Sequence, residues 1–177
     1  MEPKFYRSWH LAKNDVEYKV TELEWSIIRL HEAFARWVAA ASSVVIDGDI
    51  KFSEYVILQV IRMQDRPKNS TTIARMINRD DIPNIQYSLR KLESAGFVQK
   101  TRERGGKTFA YSVTTLGEKV TDDYAALRAE LLIESLKSIA NLDERLTDTT
   151  QFMSVLTGIY EEMSRSSASF THTSGQE

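Results

Sequence analysis

The sequence predicts a mainly α-helical fold with one small β-hairpin. Apolar residues recur at helical spacing along most of the 177 residues, whereas one short segment alternates with a period of two around a Gly-Gly pair. The apolar fraction of 42% and the charged fraction of 27% are ordinary for a globular protein. This length, without a Pro- or Gly-rich linker, predicts a single domain.

The composition excludes several classes of site. Cysteine is absent, which rules out disulfides, iron–sulfur clusters, zinc sites with thiolate ligands and cysteine nucleophiles. The sequence begins without an apolar segment of signal-peptide length, and no apolar run approaches the 18 or so residues of a membrane span. We therefore expect a cytoplasmic protein that does not contact a membrane.

The net charge of −2 is unevenly distributed. Residues 1–69 are neutral, residues 70–112 carry eight Lys or Arg against four Asp or Glu, and residues 113–177 carry five against eleven. The middle segment is therefore at +4 and the last at −6. A compact basic segment is a candidate contact for a polyanion. The alternative is an ordinary solvated surface.

The first helix is predicted from an apolar stripe whose steps alternate between three and four residues. Asn14 and Glu17 are typical of a helix start, and the pattern continues to about Ser43. About 30 residues span roughly 45 Å, which is more than a small domain can cover. We therefore expect a homodimer in which a second chain covers part of the stripe; the alternative is a helix buried in its own subunit. The stripe consists of Val16, Val20, Leu23, Ile27, Leu30, Phe34, Trp37 and Ala41.

Three shorter helices are predicted next. Ser53 is placed to cap the first, which ends before Pro67. The second covers residues 72–78 and the third residues 82–95, with three residues between them, and Gly96 ends the third.

A β-hairpin follows these helices. Residues 97–101 and 109–113 alternate, and residues 104–107 contain the Gly-Gly turn. Two short helices joined by a tight turn and followed by a hairpin describe a winged helix-turn-helix.

Helices resume after the hairpin. Thr115 with Glu118 predicts a helix to about Ile139, and Asn141 with Glu144 predicts the start of a last helix. Its stripe consists of Leu146, Met153, Leu156, Tyr160 and Met163. The predicted organisation is an N-terminal extension and long dimerisation helix (1–50), a winged helix-turn-helix (51–113), C-terminal dimerisation helices (114–165) and a disordered tail (166–177).

The third short helix has one apolar and one polar face. Ile85, Leu89 and Leu92 point inward. The outward residues suit duplex DNA, because Asn and Gln can pair with adenine edges and Arg with guanine or phosphate, while the basic hairpin tip can hold the DNA backbone. The predicted DNA-binding residues are Thr71, Thr72, Asn84, Gln86, Tyr87, Arg90, Lys91, Arg102, Arg104 and Lys107. The alternative is a winged helix that serves as a protein–protein scaffold without specific DNA binding.

Three segments are similar to those of MarR-type transcriptional regulators: residues 73–77 (IARMI), 85–98 (IQYSLRKLESAGFV) and 113–117 (VTTLG). The resemblance implies a homodimer on a pseudo-palindromic operator in double-stranded DNA, usually a repressor, often released by a small-molecule effector. It covers about residues 52–120 by motif. The turn at residues 80–83 departs from the family pattern in carrying two aspartates.

Aromatic side chains of the helical part are the candidates for an effector pocket, because ligand pockets are largely apolar. We assign Trp25, Phe34 and Tyr55 to it; core packing is the alternative.

Catalytic, cofactor and metal sites are not predicted. His10, His31 and His172 are far apart, and His31-Glu32 lacks the second histidine of a zinc-protease helix because position 35 is Ala. We therefore expect a protein that is not an enzyme.

Overall fold

The computed structural model describes residues 9–48, 50–102 and 108–167. It confirms the predicted fold class, because helices dominate and a small antiparallel sheet accompanies a helix-turn-helix. In chain order the elements are α1 (Asp15–Val45), α2 (Phe52–Arg62), β1 (Lys68–Asn69), α3 (Ser70–Met76), α4 (Ile82–Ser94), β2 (Val98–Arg102), β3 (Phe109–Val113), α5 (Thr115–Arg128), α6 (Glu134–Leu136) and α7 (Leu142–Ser167). A 3-10 turn, Met63–Asp65, follows α2.

Helix α1 begins where the sequence predicts. The Asn14 side chain accepts hydrogen bonds from the backbone N–H groups of Val16 and Glu17, each at 3.0 Å, which satisfies two free donors of the first turn. At the other end of α1, Val38 and Ala41 enter a small core that also contains tyrosines of α2 and α5.

Much of the α1 stripe lies outside that core. Ala41 is 3% exposed, whereas Val16 is 71% and Leu30 63% exposed. The apolar stripe therefore extends well beyond the part of α1 that packs against other described residues.

The main core lies between α2, α3, α4 and the sheet. Ile57 of α2 and Ile73 of α3 are fully buried in it. Ile85, Leu89 and Leu92 of α4 are at most 1% exposed, which confirms the predicted inward face of this helix. The opposite face of α4 is consequently held toward solvent.

Helices α3 and α4 end in the same way. Asn78, with φ +55°, follows α3, and the N–H of Arg79 donates to the carbonyl of Ala74 at 2.9 Å. Gly96, with φ +77°, follows α4, and the N–H of Phe97 bonds back into its last turn. A left-handed residue followed by such a bond is the Schellman motif, which here turns the chain sharply after each helix.

The sheet has three antiparallel strands in the order β1–β3–β2. The predicted hairpin pairs Lys100 with Tyr111 and Arg102 with Phe109. Strand β1, which pairs Lys68 with Tyr111 on the other side, was not predicted.

Lys68 explains how so short a strand is held. Its side chain is 2% exposed, and its ammonium donates to the carbonyls of Ile61 and Arg66, each at 3.1 Å, and to that of Met63. These carbonyls lie at and beyond the C-terminal end of α2, where the helix leaves acceptors free.

Two predicted helix starts need correction. Lys51, not Ser53, precedes α2, because its N–H donates at 2.9 Å to the carboxylate of Glu54, three residues on. Thr114, not Thr115, caps α5, because its hydroxyl accepts from the N–H of Gly117 at 3.1 Å.

Gly117 marks a close approach between α5 and the chain after α4. A Cβ atom at this position would overlap the carbonyl oxygen of Phe97. The Thr114 hydroxyl also donates to the carbonyl of Gly96 at 2.6 Å. The start of α5 is therefore fixed against the residues that lead into the wing.

The chain forms two compact units, residues 1–128 and 129–177. The predicted helix to Ile139 is interrupted, because a π-helical turn, Ala129–Ile133, follows α5 and α6 ends at Leu136. Every residue of α7 is at least partly exposed. Helix α7 includes residues 166 and 167, which were predicted to be tail, and residues 168–177 lie outside the described part of the chain.

Candidate nucleic-acid interface

Helix α4 presents a polar face whose position is fixed by the core beneath it. Asn84, Gln86, Tyr87 and Arg90 are all exposed, and Tyr87 is 57% exposed. These side chains offer amide, phenol and guanidinium groups, which can bond to base edges and to phosphates. The structure thus brings four of the predicted DNA-binding residues to one surface.

The turn before α4 carries an ordered group of polar side chains. Arg79 donates from Nε to Asp81 Oδ1 at 2.7 Å, and a second guanidinium N–H donates to Oδ2. The amide of Asn84 donates to the same Oδ2 at 3.0 Å. These bonds, above all those from Arg79, lower the pKa of Asp81 to about 2, so its carboxyl is ionised at neutral pH.

A polar cleft of about 300 Å³ lies beside α4. Gln86 and Arg90 reach it from α4, Thr71 from α3 and Lys100 from β2. Its remaining lining residues are Asn69, Ser70, Thr108, Phe109 and Tyr111. Two cations and several hydrogen-bond donors around one opening suit a phosphate group.

Lys100 is a functional candidate that sequence reasoning missed. Its ammonium lies 3.9 Å from the centre of the Phe109 ring, and the Arg102 guanidinium lies 5.8 Å from it. Such cation–π contacts hold both charges on the strand face that carries the buried Val98. The alternation of β2 could have revealed this, because Lys100 is two residues from Val98.

Lys91, another of the predicted DNA-binding residues, has a partner within the chain. Its ammonium lies 3.4 Å from a carboxylate oxygen of Glu54, whose side chain is 3% exposed. The other oxygen of Glu54 accepts from the Ser88 hydroxyl at 3.3 Å. Glu54 therefore joins the start of α2 to α4, and Lys91 is occupied in that contact.

The two predicted threonines of α3 differ in their surroundings. Thr71 is exposed and lines the cleft, whereas Thr72 is half-buried and its N–H donates to the Asn69 side chain at 2.8 Å. Asn69 is the N-cap of α3. Thr71 is consequently the better placed of the two for contact with DNA.

The structure describes both strands of the wing, β2 and β3. Arg102, at the end of β2, is exposed. Arg104 and Lys107, which the sequence predicts for the wing tip, lie outside the described residues.

The structure does not bring the predicted effector residues together. Trp25 and Phe34 are nine residues apart on α1, which places them on opposite sides of the helix and about 14 Å apart along its axis. Phe34 packs against Phe52, with ring centres 5.6 Å apart. Tyr55 is buried against Tyr124, with ring centres 4.7 Å apart, and this burial raises the pKa of Tyr55. The effector itself stays a prediction.

In the described part of the chain, no group of three or more His, Asp or Glu side chains could hold a metal ion. Among the same residues, no helix has the length and apolar character of a membrane span.

Comparisons with known proteins give a family match and structural matches. Residues 51–117 match a family model described as a winged helix DNA-binding domain. A sequence comparison with curated proteins gives no match.

Three solved structures illustrate the structural matches. AbfR of Staphylococcus epidermidis has a TM-score of 0.67 at 17% identity, with 84% of this chain and 98% of that chain covered. A MarR-family regulator from a Rhodococcus species has a TM-score of 0.63 at 18% identity, covering 76% and 93%. A mutant MarR from E. coli, complexed with operator DNA, has a TM-score of 0.64 at 20% identity, covering 81% and 99%.

These matches agree with the observed helix-turn-helix and wing, and with the motifs in residues 73–77, 85–98 and 113–117. The chain therefore has a winged helix fold, which it shares with solved MarR-family transcription regulators, as the resemblance of its sequence implied.

Proposed function

We propose that the protein is a homodimeric, sequence-specific DNA-binding transcriptional regulator that acts as a repressor. The observation that carries this proposal is the exposed polar face of α4, which lies beside a cleft containing Arg90 and Lys100. A helix with such a face fits the major groove, where Asn84 and Gln86 can reach base edges. The cations of the cleft are then placed for phosphates.

The charge of the chain supports a polyanionic partner for this region. Residues 70–112 carry a net charge of +4 and contain α3, α4, β2 and all of β3 except its last residue. The solved proteins that share the fold include DNA complexes. DNA is therefore the partner that both the charges and the polar face of α4 favour.

The homodimer is supported by exposed apolar residues. On α1, Val16, Val20 and Leu30 are 71%, 44% and 63% exposed. On α7 the exposed large apolar residues include Leu146, Phe152, Val155, Ile159 and Met163. Apolar surface that follows whole helices is typical of a face covered by another molecule. A second copy, with its own two long helices, provides a matching surface by two-fold symmetry.

A two-fold dimer requires a DNA site with matching symmetry and spacing. Its two α4 helices would enter successive major grooves on one side of the duplex, roughly 10 bp apart from centre to centre. The binding site is then an inverted repeat. Occupying such a site within a promoter would block transcription, which is the proposed repression.

The test begins with purified protein and a library of random duplex DNA, from which bound sequences are selected. We expect one enriched inverted repeat, protected over both half-sites in a footprint. The dimer is measured independently as twice the 20.3 kDa chain mass by light scattering at micromolar concentration. A single asymmetric half-site, or a monomeric mass, would contradict the dimer.

Salt separates DNA binding from the rival function of a protein–protein scaffold. Phosphate contacts release counterions, so binding to the selected DNA should weaken steeply as salt rises. A scaffold without specific DNA binding would enrich no sequence in the selection.

A further inference from the structure

The side chain of Asn84 is exposed, yet it is held in one orientation. Its partner, Asp81 Oδ2, belongs to an ionised carboxylate, which can only accept hydrogen bonds. The amide nitrogen of Asn84 must therefore face Asp81, and the amide oxygen must face away. An amide on a protein surface ordinarily has two nearly equivalent orientations, and this contact removes one of them.

Asp81 is itself held by two hydrogen bonds. The Arg79 guanidinium bonds to both carboxylate oxygens, and the turn places Arg79 there because its N–H closes the end of α3 on the carbonyl of Ala74. Asp81 is the N-cap residue of α4, but its carboxylate bonds to these two side chains instead of capping the helix backbone.

We propose that Arg79 and Asp81 are positioning residues that fix the Asn84 amide in the orientation that reads adenine. This inference rests on the proposed DNA-binding function and names the base that Asn84 of α4 selects. The bond to Asp81 uses one N–H of Asn84, which leaves the amide oxygen as an acceptor and the second N–H as a donor.

That pair of groups matches adenine and not guanine. In the major groove adenine presents the N7 acceptor and the N6 amino donor, whereas guanine presents two acceptors, N7 and O6. An outward amide oxygen bonds to the adenine amino group and faces an acceptor on guanine. A freely turning amide would discriminate less between the two purines.

The experiment compares Asp81→Asn with Asp80→Asn. Both substitutions remove one negative charge from the same turn, and Asp80 is exposed and adjacent. In Asp81→Asn the new amide can accept from or donate to Asn84, so either orientation of Asn84 is then stable. Each variant is titrated with the selected operator, with operators carrying an A·T to G·C change at each base pair in turn, and with scrambled DNA.

We expect the wild-type protein to prefer adenine by about 5- to 100-fold at one base pair of each half-site. Asp81→Asn should lower that preference by about 5-fold or more at this base pair alone, and Asp80→Asn should leave it unchanged. Both variants should bind scrambled DNA slightly and equally more tightly, because each loses one charge that repels phosphate. Arg79→Lys, which keeps the charge but loses the two-pronged contact, should lower the preference in part.

The outcomes separate this inference from the proposed function. An Asp81→Asn protein that folds, as judged by its melting curve, and keeps the full adenine preference overturns the positioning role. If Asn84→Ala leaves every base preference unchanged, Asn84 does not read DNA and the inference is wrong, although the protein can still be a regulator. If the selection enriches no sequence, the proposed function is wrong and the inference falls with it.

Discussion

Helix α4 buries Ile85, Leu89 and Leu92 almost completely, whereas helix α7, which is twice as long at 26 residues, keeps every residue at least partly exposed. Both helices carry apolar residues at helical spacing, so the pattern alone does not distinguish them. The two helices differ in how closely other elements pack against their apolar residues. Around α4, helices α2 and α3 and the sheet provide a closed core, and the apolar side chains of α4 pack within it.

The α1 stripe shows both situations along one helix. Val38 and Ala41 are buried, while Leu30, about three turns away from Ala41, is 63% exposed. We infer that the winged helix buries its apolar residues within one chain, whereas the exposed apolar residues of α1 and α7 belong to a dimer interface.

The largest expected effect is on association. Leu30→Asp places a carboxylate in the middle of the proposed interface, and two-fold symmetry introduces it twice. Because a buried, unpaired charge costs several kcal/mol, we expect the dimer to dissociate at micromolar concentration. Light scattering should report the mass of a single chain, with an unchanged circular dichroism spectrum.

Ala39→Asp is the matched control for this prediction. Ala39 is exposed, belongs to the same helix and lies half a turn around the axis from Leu30. The control should remain dimeric. If the two variants have the same mass, the stripe of α1 is not part of an interface.

The next effect is on folding stability. Leu89→Ala opens a cavity in a fully buried site and should lower the free energy of unfolding by about 2–5 kcal/mol at any protein concentration. Val155→Ala on α7 should lower stability only in the concentration range where the protein is dimeric. Urea denaturation at two concentrations distinguishes them, and a concentration-independent loss for Val155→Ala would argue against an interface on α7.

A smaller effect is expected from two helical glycines. Gly117→Ala forces a Cβ atom against the Phe97 carbonyl and should lower stability by about 1–3 kcal/mol. Gly158→Ala on α7 meets nothing within 4 Å and should instead raise it by about 0.5–1 kcal/mol. Thermal melts of both variants check this; a stabilised Gly117→Ala protein would mean that α5 does not approach the wing so closely.

We expect the exposed polar face of α4 to contact DNA bases. Gln86→Ala should weaken binding to the selected operator by about 1–3 kcal/mol and change binding to scrambled DNA little, because amide contacts to bases carry sequence information. Fluorescence anisotropy with both DNAs measures the difference. Equal losses on the two DNAs would make Gln86 a backbone contact.

The smallest effect concerns two lysines near the cleft. Lys100→Ala should lower the salt dependence of DNA binding by about one unit, since a phosphate contact is lost. Lys91→Ala should change that slope little, because its ammonium pairs with Glu54, and should lower stability instead. Reversed results would mean that Lys91 leaves Glu54 when DNA binds.

The sequence was informative where a short-range pattern determines structure. The Asn14 cap, the inward face of α4, the left-handed Gly96 and the hairpin all depend on residues close together in the chain, and the structure confirms each. The polar face of α4 followed directly from its apolar one.

The features that sequence analysis missed depend on distant residues. Strand β1 is two residues long, too short for any period, and exists because Lys68 and Asn69 meet Tyr111 and Ala110. The partner of Lys91 lies 37 residues earlier, so charge patterning along α4 could not reveal it. Sequence analysis could not show whether Trp25, Phe34 and Tyr55 share one pocket, because aromatic residue type alone does not give a direction around a helix.

The buried ammonium of Lys68 has a consequence for the dynamics of the domain. It binds the carbonyls at the end of α2 while its own backbone pairs with β3, so the helix end and the sheet edge share one side chain. Neither can open without exposing this ammonium and its acceptors. The amides of β1 and of the last turn of α2 should therefore exchange with deuterium at a common rate, as one cooperative unit of local unfolding.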